Sequence, residues 1–166
     1  MYGVWNGSPA IETTVYETAW HWYRFVLDSF PGEDREIVTE RRVFHVRCEP
    51  LLLDLRGKAA AHPDLTSRTS YALTQRLGLY VHEQDLNGLM VHSARCNGTK
   101  AAIFKHERLS NVRHGTYLTY RLNAVRDTFV AERTRGRKWL TLSPSTLGCG
   151  LAKYASPVTT AVHLLV

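Results

Sequence analysis

Three side chains capable of chemistry follow a short apolar run near the middle of the chain. The run Leu89–Val91 is followed by His92, Ser93 and Arg95. Successive residues of a strand point to opposite faces, so Ser93 shares a face with the two outer residues of the run. A serine at the end of an apolar strand face, with an arginine two residues on, predicts phosphate binding or an activated nucleophile. The structural alternative is a strand that surfaces and meets a polar turn.

A β-hairpin is the element that would hold these residues. A glycine-containing turn, Cys96–Thr99, separates the first apolar run from a second one, Ala101–Phe104. Two short apolar runs around such a turn are typical of a hairpin that is buried on at least one face.

A carboxylate comes from an amphipathic helix near the amino terminus. Ser8 and Pro9 predict the helix start, and the apolar periodicity continues to about Asp28. The remaining face carries Thr13, Glu17, His21 and Arg24. Helix geometry alone favours a solvated face on which Glu17 and His21 form an ordinary i, i+4 pair. The functional alternative is that Glu17 projects into a cleft.

The other predicted elements are five strands and a second helix. Further strands are predicted at 2–5, 37–47, 51–56, 117–122 and 128–133, and a second helix at 69–83. The sequence therefore predicts an α+β fold with a mixed, mostly antiparallel sheet and flanking helices.

Composition limits the functional classes. The 166 residues are 44% hydrophobic and 22% charged, which is typical of one globular domain. Three widely spaced cysteines and scattered histidines argue against a disulfide scaffold or a metal site. The sequence has no secretory signal and no run of 18 apolar residues, so we expect a cytoplasmic protein without a membrane interaction.

Charge divides the chain unevenly. Residues 105–138 contain nine Lys and Arg against three Asp and Glu, whereas residues 141–166 contain one lysine and no other charged residue. The basic segment makes a nucleic-acid-binding module one alternative, although a solvated surface is the more common explanation. We predict one domain over residues 1–140 and an atypical low-charge tail over residues 141–166, which we expect to pack little and to be dispensable for folding.

Five stretches, taken together, resemble the RES domain family, which is named for an Arg, a Glu and a Ser. They are Gly3-Val4-Trp5 with Glu12, Glu17 and His21; Leu53-Asp54-Leu55-Arg56; Tyr71, Gln75, Leu77 and Gly78; Asn87–Arg95 with Ala102-Ile103-Phe104; and Leu109-Ser110-Asn111 with Arg113, Gly115, Leu118 and Tyr120. Each motif is weak alone, but their shared order and spacing are specific.

The resemblance implies an ADP-ribosyltransferase-like fold and chemistry on NAD⁺ as substrate, without a metal. That chemistry is phosphorolysis or hydrolysis of the nicotinamide–ribose bond, or ADP-ribosyl transfer to a protein. Glu17 and Ser93 are the implied catalytic residues. The predicted contacts to the dinucleotide come from Arg95, Trp5, Asn6 and Arg24. Such proteins commonly serve as the toxin of a toxin–antitoxin pair, so an Xre-type antitoxin is the expected partner.

The chain also departs from the family pattern. The resemblance puts the family's arginine upstream of Met1, and Asn6 stands where a tyrosine is usual. We therefore expect an N-terminally incomplete member that turns over NAD⁺ slowly. The alternatives are an inactive remnant that binds only an antitoxin, and the nucleic-acid-binding module. The acceptor of the ADP-ribose, the oligomeric state and the identity of the antitoxin are left open by the sequence.

Overall fold

The computed structural model describes residues 3–148 and the backbone of residues 162–165. These residues form two helices and two sheets, so the predicted α+β class is confirmed. The predicted mixed, mostly antiparallel pairing is also confirmed, and the strands divide into a four-stranded and a five-stranded sheet.

The strands are, in chain order, β1 (Trp5–Gly7), β2 (Ile37–Cys48), β3 (Leu53–Asp54), β4 (Gly88–His92), β5 (Thr99–Ile103), β6 (Leu109–Asn123), β7 (Thr128–Thr134), β8 (Arg137–Leu142) and β9 (Val162–Leu165). The first sheet has the order β1-β5-β4-β3, and its β3–β4 pair is parallel. The second sheet has the order β8-β7-β6-β2-β9 and is antiparallel throughout.

The larger core lies between the first helix, α1 (Ile11–Ser29), and the second sheet. The helix contributes buried side chains at three- and four-residue spacing, which places them on one face: Val15, Ala19, Trp22 and Val26. The sheet contributes buried residues from β6 and β7, among them Leu118, Tyr120, Leu122 and Phe129. The predicted helix is thus confirmed, and one face of it is fixed against the sheet.

The start of α1 differs from the prediction. The residue before the first turn is Ala10, which has no side-chain cap, and Ser8 lies two residues earlier. The Ser8 hydroxyl accepts a hydrogen bond from the Ala10 amide at 3.2 Å and donates one to the Thr99 carbonyl at 2.7 Å. Ser8 therefore ties the helix start to β5, a contact that local sequence cannot predict.

A smaller core holds the second helix, α2 (Ala72–Glu83), against the first sheet. Val81 of α2 packs with Leu89 and Val91 of β4, and all three are buried. The predicted hairpin is confirmed, because β4 and β5 pair antiparallel. The predicted strand 51–56 is short and not buried, since β3 covers two residues and Leu51 is 89% exposed.

The carboxyl-terminal segment contradicts the expectation that it packs little. A 3₁₀ turn at Pro144–Gly148 places the side chains of Pro144 and Leu147 in the interior, and Leu147 belongs to the larger core. Strand β9 pairs with β2 over Val43–Val46. The rest of the predicted tail lies outside the described residues. Neither described helix is long and apolar enough to cross a membrane.

Candidate functional site

The turn of the central hairpin brings Ser93 to the amino-terminal half of α1. The Ser93 amide donates to the Gly98 carbonyl at 2.8 Å, which closes the loop between β4 and β5. Gly98 lies directly against Thr13: a Cβ added at Gly98 would come within 2.0 Å of the Thr13 hydroxyl oxygen. Only glycine therefore allows the turn to approach the helix this closely.

Ser93 and Glu17 are in direct contact. The Ser93 hydroxyl donates to Glu17 Oε1 at 2.6 Å. Its oxygen accepts hydrogen bonds from the amides of Arg95 at 3.0 Å and Cys96 at 3.3 Å. Ser93 is buried, and 14% of the Glu17 side chain reaches solvent. Glu17 therefore lies against Ser93 and not on a fully solvated face, as the functional alternative requires; the catalytic roles of the two residues stay predictions.

Lys100 is a charged neighbour of the pair that sequence reasoning missed. Its Nζ lies 3.5 Å from Glu17 Oε2, so the carboxylate is held between a hydroxyl and an ammonium group. Lys100 is the cross-strand partner of the buried Val91, and residues directly opposite each other share a face of the sheet. The register between β4 and β5 is the feature that would have pointed to Lys100. The sequence does not determine this register until the length of the turn is known.

Arg95 makes its contacts with the protein interior. One terminal nitrogen donates to the carbonyls of Arg68 and Leu147, both at 3.0 Å, and the other donates to the Tyr71 hydroxyl at 3.0 Å. The guanidinium carbon lies 4.4 Å from the centre of a Trp20 ring, in cation–π geometry. Arg95 is 4% exposed. Its predicted contact with a dinucleotide stays a prediction, and the observed bonds give it a structural role.

His21 and Cys96 complete the surroundings of the carboxylate. Partial loss of hydration lowers the pKa of His21; the Glu17 charge opposes this shift, and Lys100 and Arg95 add to it. Burial raises the pKa of the Cys96 thiol, and hydrogen bonds with Ser93 and Thr13 only partly counteract it. The Cys96 thiol is therefore a poor nucleophile, and Glu17 with Ser93 is the stronger candidate for chemistry at this place.

Comparison with known proteins gives the family. A family model of the RES domain matches residues 1–123 of the 166-residue chain. This chain belongs to the RES domain family. The matched region includes Glu17, Ser93 and Lys100, whereas β7, β8 and the 3₁₀ turn that bears Leu147 lie beyond it. A search of curated proteins found no match.

The other predicted contact residues of the RES domain lie at different places. Trp5 and Asn6 are in β1, where they pair with Ile103 and Ala102 of β5. Arg24 is two turns beyond Glu17 on α1, with its guanidinium 3.7 Å from the carboxylate of Asp28. The structure thus brings Glu17 and Ser93 together, whereas Arg24 faces solvent. The roles of all three in binding stay predictions.

The RES domain site can hold a carboxylate in one orientation and present it to a ligand. Ser93 and Lys100 restrain the two oxygens of Glu17, and the remaining lone pairs can accept hydrogen bonds from substrate hydroxyls. Among the residues that the structure describes, no group of three or more His, Cys, Asp or Glu side chains could hold a metal ion.

Proposed function

We propose that this RES domain acts on NAD⁺ and breaks the bond between nicotinamide and ribose at Glu17. The hydrogen bond of 2.6 Å between the Ser93 hydroxyl and Glu17 Oε1 is the observation that carries the proposal. It unites two of the three residue types for which the family is named, from elements 76 positions apart in the chain.

The chemistry follows from the charge that develops during the reaction. When the bond from ribose C1′ to the nicotinamide nitrogen breaks, the electron pair leaves with nicotinamide, and the ribose carbon gains positive charge. The carboxylate of Glu17 orients the ribose hydroxyls and stabilises this charge. An oxygen of water, of phosphate or of a protein side chain then forms the new bond to C1′.

Ser93 acts through Glu17 rather than on the substrate. Two backbone amides fill the lone pairs of its oxygen, so its single proton is directed at the carboxylate. A hydroxyl that accepts two hydrogen bonds is also a better donor, because such bonds polarise one another. Ser93 therefore fixes the orientation of Glu17 and is a positioning residue. Lys100 offsets part of the cost of holding an anion in this half-buried place.

The wider biological setting is part of the same proposal. A RES domain that depletes NAD⁺ would act as a toxin in the cytoplasm, restrained by an antitoxin partner of the Xre type. Support for this comes from the family, whose members are commonly associated with toxins.

The test is the release of free nicotinamide from NAD⁺, measured by chromatography with water alone and with added inorganic phosphate. Glu17→Gln keeps the shape of the side chain and removes its charge, and we expect a loss of about 100-fold or more. Ser93→Ala should cost about 10-fold, the equivalent of one hydrogen bond. Glu12→Gln is the matched control, because it is the same change at an exposed position of the same helix.

The acceptor is identified in the same assay. A dependence of the rate on phosphate indicates phosphorolysis, and release without phosphate indicates hydrolysis. If Glu17→Gln releases nicotinamide as fast as the unmodified protein, the assignment of the site is wrong. If the unmodified protein releases none with water, phosphate or a protein acceptor, the proposed reaction itself is wrong.

A further inference from the structure

An arginine projects from the core-facing side of the second sheet. Arg41 of β2 lies opposite Leu118 of β6, which is completely buried. The residues on either side of Arg41 point the other way: Glu40 accepts a hydrogen bond from Thr119, and Arg42 contacts Tyr117. A cation on the buried face of a sheet is unusual, because hydrocarbon normally occupies such positions.

Arg41 lines a groove between β2 and α1. The groove has a volume of about 370 Å³, and its described lining consists of Thr18, His21, Trp22, Phe25 and Arg41. No carboxylate is among these five residues. Within the described part of the chain, Arg41 forms no ion pair, and its buried Nε has no hydrogen-bond partner.

The environment of Arg41 favours an anion. Its guanidinium carbon lies 5.9 Å from the centre of the Tyr120 ring, which stabilises the cation but satisfies none of its N–H donors. A buried donor on a charged group without a partner is costly. The planar fork of arginine matches two oxygens of a phosphate, so a phosphate in the groove would remove that cost.

The groove begins one helical turn from the candidate site. His21 lines it and is one helical turn beyond Glu17, whose charge acts on His21. Phe25 also lines the groove; it is 57% exposed, and its ring makes a T-shaped contact with Phe30 at 6.3 Å between centroids. Arg41 shares the groove with Phe25, and Glu17 lies one helical turn from its lining, so a carboxylate, a cation and a ring are available to the ribose, the diphosphate and the base of a dinucleotide.

We propose that the groove binds the diphosphate of the nucleotide substrate, with Arg41 as the donor and Phe25 beside the base. This inference rests on the proposed function, for which it names the phosphate-binding residue. It assigns to Arg41 the role that the sequence predicted for Arg95, whose donors are used by the protein interior.

The experiment measures ADP binding to the full chain by titration calorimetry. Because charge-assisted hydrogen bonds to phosphate are lost, Arg41→Gln should weaken ADP binding by about 10- to 100-fold. Arg41→Lys keeps the charge and should retain an intermediate affinity. Arg42→Gln is the matched control, since it is the same change on the adjacent residue of the same strand and points away from the groove.

Competition on the unmodified protein separates the sources of phosphate and does not depend on the folding of a variant. Pyrophosphate should displace ADP, and adenosine should not bind measurably. If inorganic phosphate binds but ADP does not, or if Arg41→Gln binds ADP as tightly as Arg42→Gln, the inference is wrong. Nicotinamide release is measured separately. If ADP binding depends on Arg41 but NAD⁺ is not turned over, the role of the groove in binding is supported and the proposed reaction is refuted.

Discussion

At the scale of single residues, the candidate site depends on the direction in which the Ser93 hydroxyl donates its proton. The Ser93 oxygen accepts two amide hydrogen bonds, so its hydroxyl has a single free direction, toward Glu17. A serine held in this way can be required for the reaction without attacking the substrate itself. In the reaction that we propose, it fixes the carboxylate before the substrate arrives, which is preorganisation in the electrostatic sense.

The same preorganisation depends on Gly98. Replacement by alanine would place a Cβ 2.0 Å from the Thr13 hydroxyl oxygen and 2.9 Å from the Thr13 Cβ. Thr13 is buried and β-branched, so it cannot rotate away freely. We expect Gly98→Ala to lower the free energy of unfolding by about 1–3 kcal/mol, as other overpacked sites do. It should also lower nicotinamide release, because the turn that carries Ser93 must move away from α1.

Chemical denaturation measures the first effect, and two variants test its cause. Gly57→Ala is the matched control, because no atom lies within 4 Å of a Cβ built there. Thr13→Ala combined with Gly98→Ala should recover part of the lost stability, since the hydroxyl and methyl groups that clash are removed. An unchanged stability in Gly98→Ala would mean that the turn is not held against the helix.

Sequence reasoning reached some of these residues and missed others for a physical reason. Glu17 and Ser93 were found through the resemblance to the RES motifs, since local pattern alone favoured a structural explanation for both. Lys100 and Arg41 were missed because their importance comes from pairing across strands: each lies opposite a buried residue, Val91 or Leu118. Register between strands depends on turn length and distant packing, so a single sequence shows only that a lysine or an arginine is present.

At the scale of elements, Arg95 links three parts of the chain. It bonds to the carbonyl of Arg68 before α2 and to that of Leu147 in the 3₁₀ turn, and it stacks on Trp20 of α1. We expect Arg95→Ala to lower the free energy of unfolding by about 3 kcal/mol or more, because several hydrogen bonds from a buried charged donor and its contact with the Trp20 ring are lost. Arg76→Ala, at an exposed position of α2, should have almost no effect.

Calorimetry on the two variants decides between a structural and a binding role for Arg95. Arg95→Lys adds a sharper comparison, since it keeps the charge but cannot reach three acceptors from one planar group. A variant at Arg95 that keeps the full stability and loses only affinity for ADP would contradict the structural role. It would return the residue to the binding function that the sequence predicted.

The elements themselves were predicted well where their signal is periodic. Helix α1, the β4–β5 hairpin and β2 each carry a regular apolar pattern, and the structure confirms them. The prediction failed for 51–56, where LLLDLR looks like a buried strand, but only Leu53–Asp54 forms a strand, and Leu51 and Leu53 are exposed. Apolar composition without alternation does not identify the surface that a segment contacts.

At the scale of the whole molecule, the segment after the family match completes the larger core. Strands β7 and β8 extend the second sheet, and the 3₁₀ turn Pro144–Gly148 packs against α1 through Leu147. The low charge of this region suggested a dispensable tail. The 3₁₀ turn and strand β9 are both short, and β9 pairs with β2, which is distant in the sequence. Neither produces a helical or alternating apolar pattern over many residues, so periodicity could not reveal them.

Leu147 gives the direct test of this closing segment. The side chain is 4% exposed in the larger core, so Leu147→Ala should lower the free energy of unfolding by about 2–5 kcal/mol. For a chain of this size the thermal midpoint should fall by roughly 2–4 °C for each kcal/mol. Leu51→Ala is the same change at a position that is 89% exposed, and it should shift the midpoint by less than about 2 °C. Differential scanning calorimetry on both variants measures the contrast. Equal and small shifts would show that the core is complete without this segment, as the sequence alone suggested.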